Sequence, residues 1–460
     1  MPRILVQKFG GTSVDTPEHR QRAVQKVIAA KQAGYDPVVV VSAIGRMGAP
    51  YATDTLKSVL REIDPTVTPH PREMDVMMAC GEIISTAVMA VTLQAAGFPS
   101  IALSGGQAGI ITDSNYGNAR ILEVHPESVL RAIERGEVPV VCGFQGVTTV
   151  RDENQHGAIT TLGRGGSDTT ASALGAALGA EAVEIYTDVD GVKTADPDMV
   201  PNARTLDLCT YDELAEITHL GAKVVHPRAA EIAMDYGIAL WVKSTFSDRP
   251  GTQIVAEAAA PEEVRRRVTG VAHTGRIVHI RLHIPNEAHK QMVEQEVYRL
   301  MARAGVSIFL VTFSPHEMAF AVDRADYHVA RDLLDGMVVP VATDPSRRPA
   351  SHFYIFKFAE GLDLAYAAQR PLLAPVESFI DVIDVPGEVT ENCTMVSLVA
   401  GRHRSVPGIM ARVHSTLRGA GVPILQVADS DMSVSCLVPE TEAPRAVRAL
   451  HDAFELGREV

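Results

Sequence analysis

TTLGRGGSDTTASALGAALGAEAVEIYTDVDG, residues 160–191, sets a glycine turn, a helix and a strand one after another. Gly163, Gly165 and Gly166 let backbone approach backbone or a ligand closely, and Arg164, Ser167 and Asp168 put a cation, a hydroxyl and a carboxylate beside that turn. Ser167 is the expected N-cap of an Ala-rich helix reaching Leu178, Gly179 suits its C′ position, and residues 183–187 read as a buried strand. The unit is α/β in character, and its turn is the expected place of an active site. Ala171, Gly175 and Gly179 recur every fourth residue. They leave one smooth helix face, which fits close packing on a sheet better than a ligand role.

The 460 residues exceed what one core supports, so two or three domains are expected. A net charge of −14 and a pI near 5.6 argue against a general nucleic-acid surface but are compatible with phosphorylated small molecules held by a few local cations. Cys80, Cys142, Cys209, Cys393 and Cys436 are scattered, with no Cys-x-x-Cys pair, so reduced core thiols are expected rather than disulfides or zinc. The chain enters a strand almost at once, and no apolar stretch reads as approaching membrane-spanning length. A cytoplasmic protein without a signal peptide is expected.

Residues 4–7 form a short strand ending in Lys8-Phe9-Gly10-Gly11-Thr12-Ser13. Thr16 caps the following helix, Pro17 starts it and Gly34 ends it. Two glycines beside a lysine permit N–H groups and an ammonium to converge on phosphate, although the spacing is neither that of a P-loop nor that of a dinucleotide fold. Residues 37–45, PVVVVSAIG, read as a parallel strand covered on both faces. Lys8 and Ser42 would both emerge at the carboxyl edge of the sheet, where ligands gather. Thr53 is either substrate-facing or a helix cap. A helical pattern over residues 72–96 is interrupted at Gly81-Glu82, and a carboxylate in so apolar a run needs a partner. Strand-to-glycine-loop patterns return at residues 101–109 and 138–146, which favours parallel strands sharing one ligand edge. Residues 187–192 are an ordinary turn or a nucleoside-holding loop.

KFGGTS (8–13), VVVVSAIG (38–45), GEIIS (81–85), TTLGRGGSDTTA (160–171), YTDVDGVKTADP (186–197) and GAKVVHPRA (221–229) together resemble the aspartate kinases in order and spacing. The resemblance implies an αβα amino-acid-kinase fold with a mainly parallel sheet over about the first 255 residues. It also implies MgATP-dependent phosphorylation of the aspartate side-chain carboxylate to 4-phospho-L-aspartate, the first step to lysine, threonine and methionine. A carboxylate nucleophile needs charge neutralisation and in-line placement rather than a base. By the resemblance, Lys8, Asp168 and Lys223 are catalytic, the two lysines on the transferring phosphate and Asp168 orienting them. Phe9, Gly10, Gly11, Thr187, Asp188, Lys193 and Asp198 join both lysines in holding ATP. Arg164 with Gly165, Gly166 and Ser167 takes a substrate carboxylate, Glu82 its ammonium, and Ser42 and Thr53 help to place it. Mg²⁺ rests on phosphate oxygens and water, with no protein ligand named.

After a linker at 256–268, a βαββα series at 269–340 and another at 393–460 imply two ferredoxin-like ACT domains. In the family such domains bind an amino-acid effector and join subunits, so a homo-oligomer, dimer or tetramer, is expected. The second copy keeps Ser405-Val406-Pro407-Gly408 at its turn, whereas the first has Ile284-Pro285-Asn286-Glu287. Residues 341–392 form an atypical insertion, which could be an extra strand and helix, an effector site or a partner surface, and is read in preference as a solvated segment packed on the module. Alternatives are an acetylglutamate or glutamate 5-kinase type of enzyme, or a non-catalytic ACT sensor; a fused homoserine dehydrogenase is not expected.

Overall fold

Val38, Val39, Val40 and Val41 are all fully buried, as a β-branched run in the middle of a two-sided sheet must be. The computed structural model describes residues 2–64, 66–151, 157–221, 225–261, 268–341, 352–358, 381–401 and 407–458. Two compact units separate by contact: Met1–Val271 with Val399–Pro407 and Phe454–Val460, and Ala272–Leu398 with Gly408–Ala453.

The first unit opens with β1 (Ile4–Phe9), α1 (Pro17–Gln32), β2 (Asp36–Val41), α2 (Thr53–Arg61), α3 (Pro71–Ala95) and β3 (Ser100–Leu103). It continues with β4 (Ile110–Thr112), β5 (Ile121–Val124), α4 (Glu127–Glu134), β6 (Val138–Cys142), β7 (Gln145–Arg151) and β8 (Gly157–Thr161). Then come α5 (Gly166–Leu178), β9 (Ala182–Thr187), β10 (Leu208–Thr210), α6 (Tyr211–His219), α7 (Pro227–Asp235), β11 (Ala239–Ser244) and β12 (Thr252–Val255). Among the described residues the main sheet runs β10-β12-β11-β9-β1-β2-β6-β3, and only the β11–β12 pair is antiparallel. A second, smaller sheet, β5-β4-β7-β8, was not legible in the sequence.

Side-chain alternation along β1 sorts the two faces. Phe9 turns to the face covered by α1 and α3, stacked on Tyr186 at 4.8 Å among Val24, Val27, Met89 and Leu93. Lys8 turns to the opposite face, where α5 lies. Lys8 pairs in register with Val40 and Ile185, so it stands beside Ser42 and Thr187 at the carboxyl edge.

Several local expectations hold. Thr16 caps α1, accepting from the His19 N–H at 3.1 Å, and Gly179 is a left-handed C-cap at φ 60°. Others need correction. Ser167 is not the cap of α5; Gly165 takes that place at φ 68°, ψ 13°, and Ser167 lies inside the first turn. Helix α3 is continuous through Gly81, whose missing Cβ makes room for the Tyr51 carbonyl at 2.7 Å and the Ala43 methyl at 2.8 Å. Thr53 is the first residue of α2 rather than its cap. The expectation that no stretch reaches membrane-spanning length also fails: α3 has 25 residues and a mean hydropathy of 1.8 over its most apolar window. Its buried face carries Asp75, Glu82, Ser85 and Thr86 together with Met89, Ala90 and Leu93, which is the pattern of a core helix.

In the second unit, strands β13 (Val268–His283), β14 (Ile308–Ser314), β15 (Glu317–Asp323), β16 (Val338–Val341), β17 (His352–Lys357) and β18 (Asp381–Ala400) form the order β14-β15-β13-β18-β17-β16. Strand β20 (Ser433–Pro439) joins β18 and carries β19 (Gln426–Asp429). The expected solvated insertion is corrected by β17: it pairs antiparallel with β16 and parallel with β18, and Tyr354, Ile355 and Phe356 are buried. Tyr354 also meets His289 Nδ1 at 2.7 Å through its hydroxyl. Residues 342–351 and 359–380 of that segment lie outside the described residues, as do 262–267 of the linker and 402–406 with Ser405 and Val406. At the atypical first turn Asn286 replaces glycine chemistry with a side-chain cap, accepting from the Ala288 N–H at 3.0 Å.

Gly175 packs against β9, since a Cβ there would stand 2.5 Å from Val183 Cγ2. Gly175→Val is expected to destabilise the protein by about 1–3 kcal/mol through overpacking, read as a lower urea midpoint at unchanged m.

Candidate active site

Three strand ends and three helices bring their side chains to one cleft of about 680 Å³. Lys8, Ser42, Thr53, Glu82, Arg164, Gly165, Gly166, Ser167 and Asp168, scattered through the sequence, all line it. At its base Lys8 Nζ stands 2.7 Å from Asp168 Oδ1, with both side chains about nine-tenths buried (12% and 11% exposed). Asp168 Oδ2 accepts from the His226 N–H at 3.2 Å, which ties the start of α7 to α5. The His226 ring packs on Gly165, where any Cβ would overlap it at 2.1 Å, so that position must be glycine. Burial holds the His226 imidazole below its ordinary pKa, with Asp168 pulling the other way.

The glycine turn is shaped by contacts on every side. Gly163 has φ 75°, and a Cβ on it would meet Asn118 Oδ1 at 2.8 Å. Gly166 packs beneath Phe144, itself in the left-handed region at φ 68°. Gly143 leaves space for Ser167, whose Cβ would be 2.7 Å from an added methyl. The first intrahelical bond of α5 is from the Thr169 N–H to the Gly165 carbonyl. Helix geometry therefore leaves the Ser167 and Asp168 N–H groups without partners inside α5, at the electropositive end beside Lys8.

Glu82 is almost wholly withdrawn from solvent on the cleft wall, at 2% exposure. One carboxylate oxygen accepts from the Ala43 N–H at 3.1 Å, and Oε2 has no hydrogen-bond partner. Burial pushes its pKa up to about 8, against the opposing pull of that N–H. A buried carboxyl with one oxygen unpartnered on a cleft wall is arranged to receive a cationic or hydrogen-donating group.

The Gly10-Gly11 turn adjoins this cleft without lining it. Gly10 N–H donates to the Tyr186 carbonyl at 3.3 Å, and the turn continues as a short 3₁₀ helix, Gly11–Ser13, whose first N–H groups have no partner within it. Gly11 is needed by the fold, since a Cβ would stand 2.6 Å from the Ala43 carbonyl. At Gly10 a Cβ would strain nothing and would sit 3.7 Å from Lys8 Nζ, in space suited to a phosphate. Phe9 differs from its expected role: its ring is wholly in the core, so no side-chain contact to a ligand is open to it.

Thr187, Asp188, Lys193 and Asp198 are not brought into the cleft. Asp188 pairs with Arg46 at 2.8 Å and accepts from Thr187 Oγ1 at 3.1 Å. Lys193 donates to Thr205 Oγ1 at 2.9 Å, and Asp198 is exposed on an Asx turn made by Asp196. Lys223 lies outside the described residues. Sequence reasoning missed Asp75, Lys57 and Arg61, which also line the cleft. The signal was present: Thr53, Lys57 and Arg61 recur every fourth residue along α2, and Asp75 lies two helical turns before Glu82. Among the described residues no three His, Cys, Asp or Glu side chains gather as a metal site.

Residues 3–244 match the model of the amino acid kinase family, and residues 388–452 that of an ACT domain. Aspartokinase 1 of Bacillus subtilis is 36% identical over 459 residues, covering 99% of this chain and all of that protein. Among solved structures, E. coli aspartokinase III in complex with aspartate and ADP, in its R-state, has a TM-score of 0.68 at 23% identity, covering 98% of this chain and 99% of that one. The same E. coli enzyme in complex with lysine and aspartate, in its T-state, has a TM-score of 0.67 at 23% identity, with coverage of 98% and 99%. These two likenesses show the fold.

The raised pKa of Glu82 has a stability consequence. The folded state binds its proton more tightly than the unfolded chain between about pH 4.5 and 8, so this group's contribution falls as pH rises through that window and levels off above it. Glu82→Gln should remove up to about 1.4 kcal/mol per pH unit of that slope. Urea unfolding at pH 6 and pH 8 measures it; parallel curves for both proteins would contradict the assignment.

Proposed function

The chain belongs to the amino acid kinase family and, within it, to the aspartokinases, and from that premise we propose how its own residues phosphorylate L-aspartate on the side-chain carboxylate with ATP. One observation carries the reading: a buried carboxyl with one oxygen unpartnered, an arginine and a lysine–aspartate pair line one cleft. Those groups suit the ammonium, the carboxylate and the phosphate of the two substrates.

Glu82 Oε2 receives the substrate ammonium, and gaining that cation favours its ionised form. Arg164 forks onto the α-carboxylate, a planar match that a lysine lacks. Ser42 and Thr53 complete the amino-acid side of the cleft. The side-chain carboxylate is then left unpaired and aimed at phosphorus. Being already charged, it attacks without a general base, so the protein's task is alignment and charge neutralisation. Lys8 supplies that neutralisation at the transferring phosphoryl group, and Asp168 holds the ammonium at the strand end. The open space at Gly10 and the donors of the Gly11–Ser13 turn and of α5 support a phosphate chain there. Lys223 joins Lys8 in this reading on the strength of the resemblance. Thr187, Asp188, Lys193 and Asp198 follow β9 and are assigned to the nucleoside. Mg²⁺, when bound, supplies further neutralisation on phosphate oxygens, and the donor set here suits that mode better than a cage of protein carboxylates.

The ACT match supports regulation of the enzyme by an amino-acid end product and assembly of copies through these domains. Lysine, bound by the E. coli relative, is the first effector to try. A cytoplasmic location belongs to the same reading.

Lys8→Ala should lower kcat by about a hundredfold or more, on the scale of lost transition-state charge stabilisation. The far-ultraviolet circular dichroism should stay unchanged. Retention of aspartate-dependent hydroxamate formation in the folded variant would sink the role. Arg164→Lys should raise the aspartate KM about tenfold with the ATP KM little changed, because one ammonium replaces a fork.

A further inference from the structure

The role of Asp75 is open in the mechanism above, although its carboxyl is fully buried on the wall of the same cleft. Its surroundings consist of donors. Oδ2 accepts from the Thr161 N–H at 2.8 Å and from the Gly117 N–H at 3.0 Å, and Oδ1 accepts from Thr161 Oγ1 at 2.7 Å. The two N–H groups demand an acceptor at Oδ2, whereas the Thr161 hydroxyl at Oδ1 can donate or accept.

The two segments it grips are the ones that shape the Arg164 turn. Thr161 ends β8 three residues before Arg164, and its carbonyl accepts from the Ala119 N–H at 2.9 Å. On the other side, the Gly117 carbonyl stands 3.2 Å from where a Cβ on Gly163 would be. The turn is thus packed against the 117–119 loop, and both are hung from one carboxylate. That carboxylate sits on α3, the helix that carries Glu82, and the two residues are separated by about 10 Å along the axis.

We propose that Asp75 is a positioning residue for the acidic amino acid, setting the place of the Arg164 fork relative to the Glu82 carboxyl. It rests on the aspartokinase reading. Asp75 does not itself need to touch substrate, because both of its oxygens are engaged by protein donors. It acts through Thr161 and Gly117. A rigid link between the ammonium site and the carboxylate site decides how the third group of the substrate, its reactive carboxylate, is aimed.

Steady-state kinetics on the full chain, with aspartate and ATP varied separately, tests this. Asp75→Ala, which leaves the Thr161 and Gly117 N–H groups without their acceptor, should raise the aspartate KM about tenfold while the ATP KM changes by less than about twofold. Thr161→Val, which deletes one of the three bonds, should shift the aspartate KM in the same direction by a smaller factor, and Thr161→Ser should restore it. A general structural defect would raise both KM values or lower activity without this split, and that result overturns the proposal. Should Asp75→Ala fail to fold, the Thr161 pair decides: equal aspartate KM values for valine and serine overturn it. An inactive wild type with aspartate would instead refute the kinase reading and the positioning role with it, whereas an active wild type and an unshifted Asp75→Ala refute the positioning role alone.

Discussion

The ion pair between Lys8 and Asp168 joins the two halves on which the site is built. Lys8 is the penultimate residue of β1 at the centre of the main sheet, and Asp168 lies in the first turn of α5, which packs on that strand. Neither charge would be stable so far from bulk water alone, so each restricts where the other can be. Strand alternation puts Lys8 on the α5 face because Phe9 must enter the opposite core. The glycine turn before α5 puts Asp168 within reach because Gly165 adopts a left-handed conformation and passes under His226. A hydrophobic requirement on one face thereby places the cation of the cleft on the other.

Around that pair the protein tolerates arrangements that cost stability. Glu82 is held in an apolar helix with one oxygen unpartnered, and Phe144 keeps a left-handed backbone beneath the turn. Both lie against the cleft. A substrate ammonium would relieve the first, so part of the energy of binding would offset a cost already present in the folded protein. Asp75 differs on the same helix: both of its oxygens are engaged by backbone and hydroxyl donors, which oppose the rise in pKa that burial causes.

The sequence was most legible where one residue type has one physical use. The valine run at 38–41, the cap at Thr16 and the left-handed Gly179 were all readable, because burial, side-chain acceptance and positive φ each select a narrow set of residues. Legibility failed where several explanations share a composition. Ser167 looked like a cap but sits inside the helix, since a glycine could take the preceding left-handed position. Gly81 looked like an interruption, whereas its lost Cβ admits a neighbouring loop. Strand β17 looked like surface, because its partners β16 and β18 flank it in space across long stretches of chain.

By itself the sequence determined the α/β character, the kinase family and the identity of most groups on the cleft, because motifs of charged and glycine residues report the chemistry they perform. Their convergence was decided by tertiary structure. Lys8, Ser42, Glu82 and Arg164 are far apart in the chain, and only parallel pairing of β1 with β2 and β9, with α3 and α5 on opposite faces, brings them to one edge. The same holds for Asp75: its partners Thr161 and Gly117 come from a second sheet and its loop, whose pairing depends on nonlocal hydrogen bonds that no local pattern encodes.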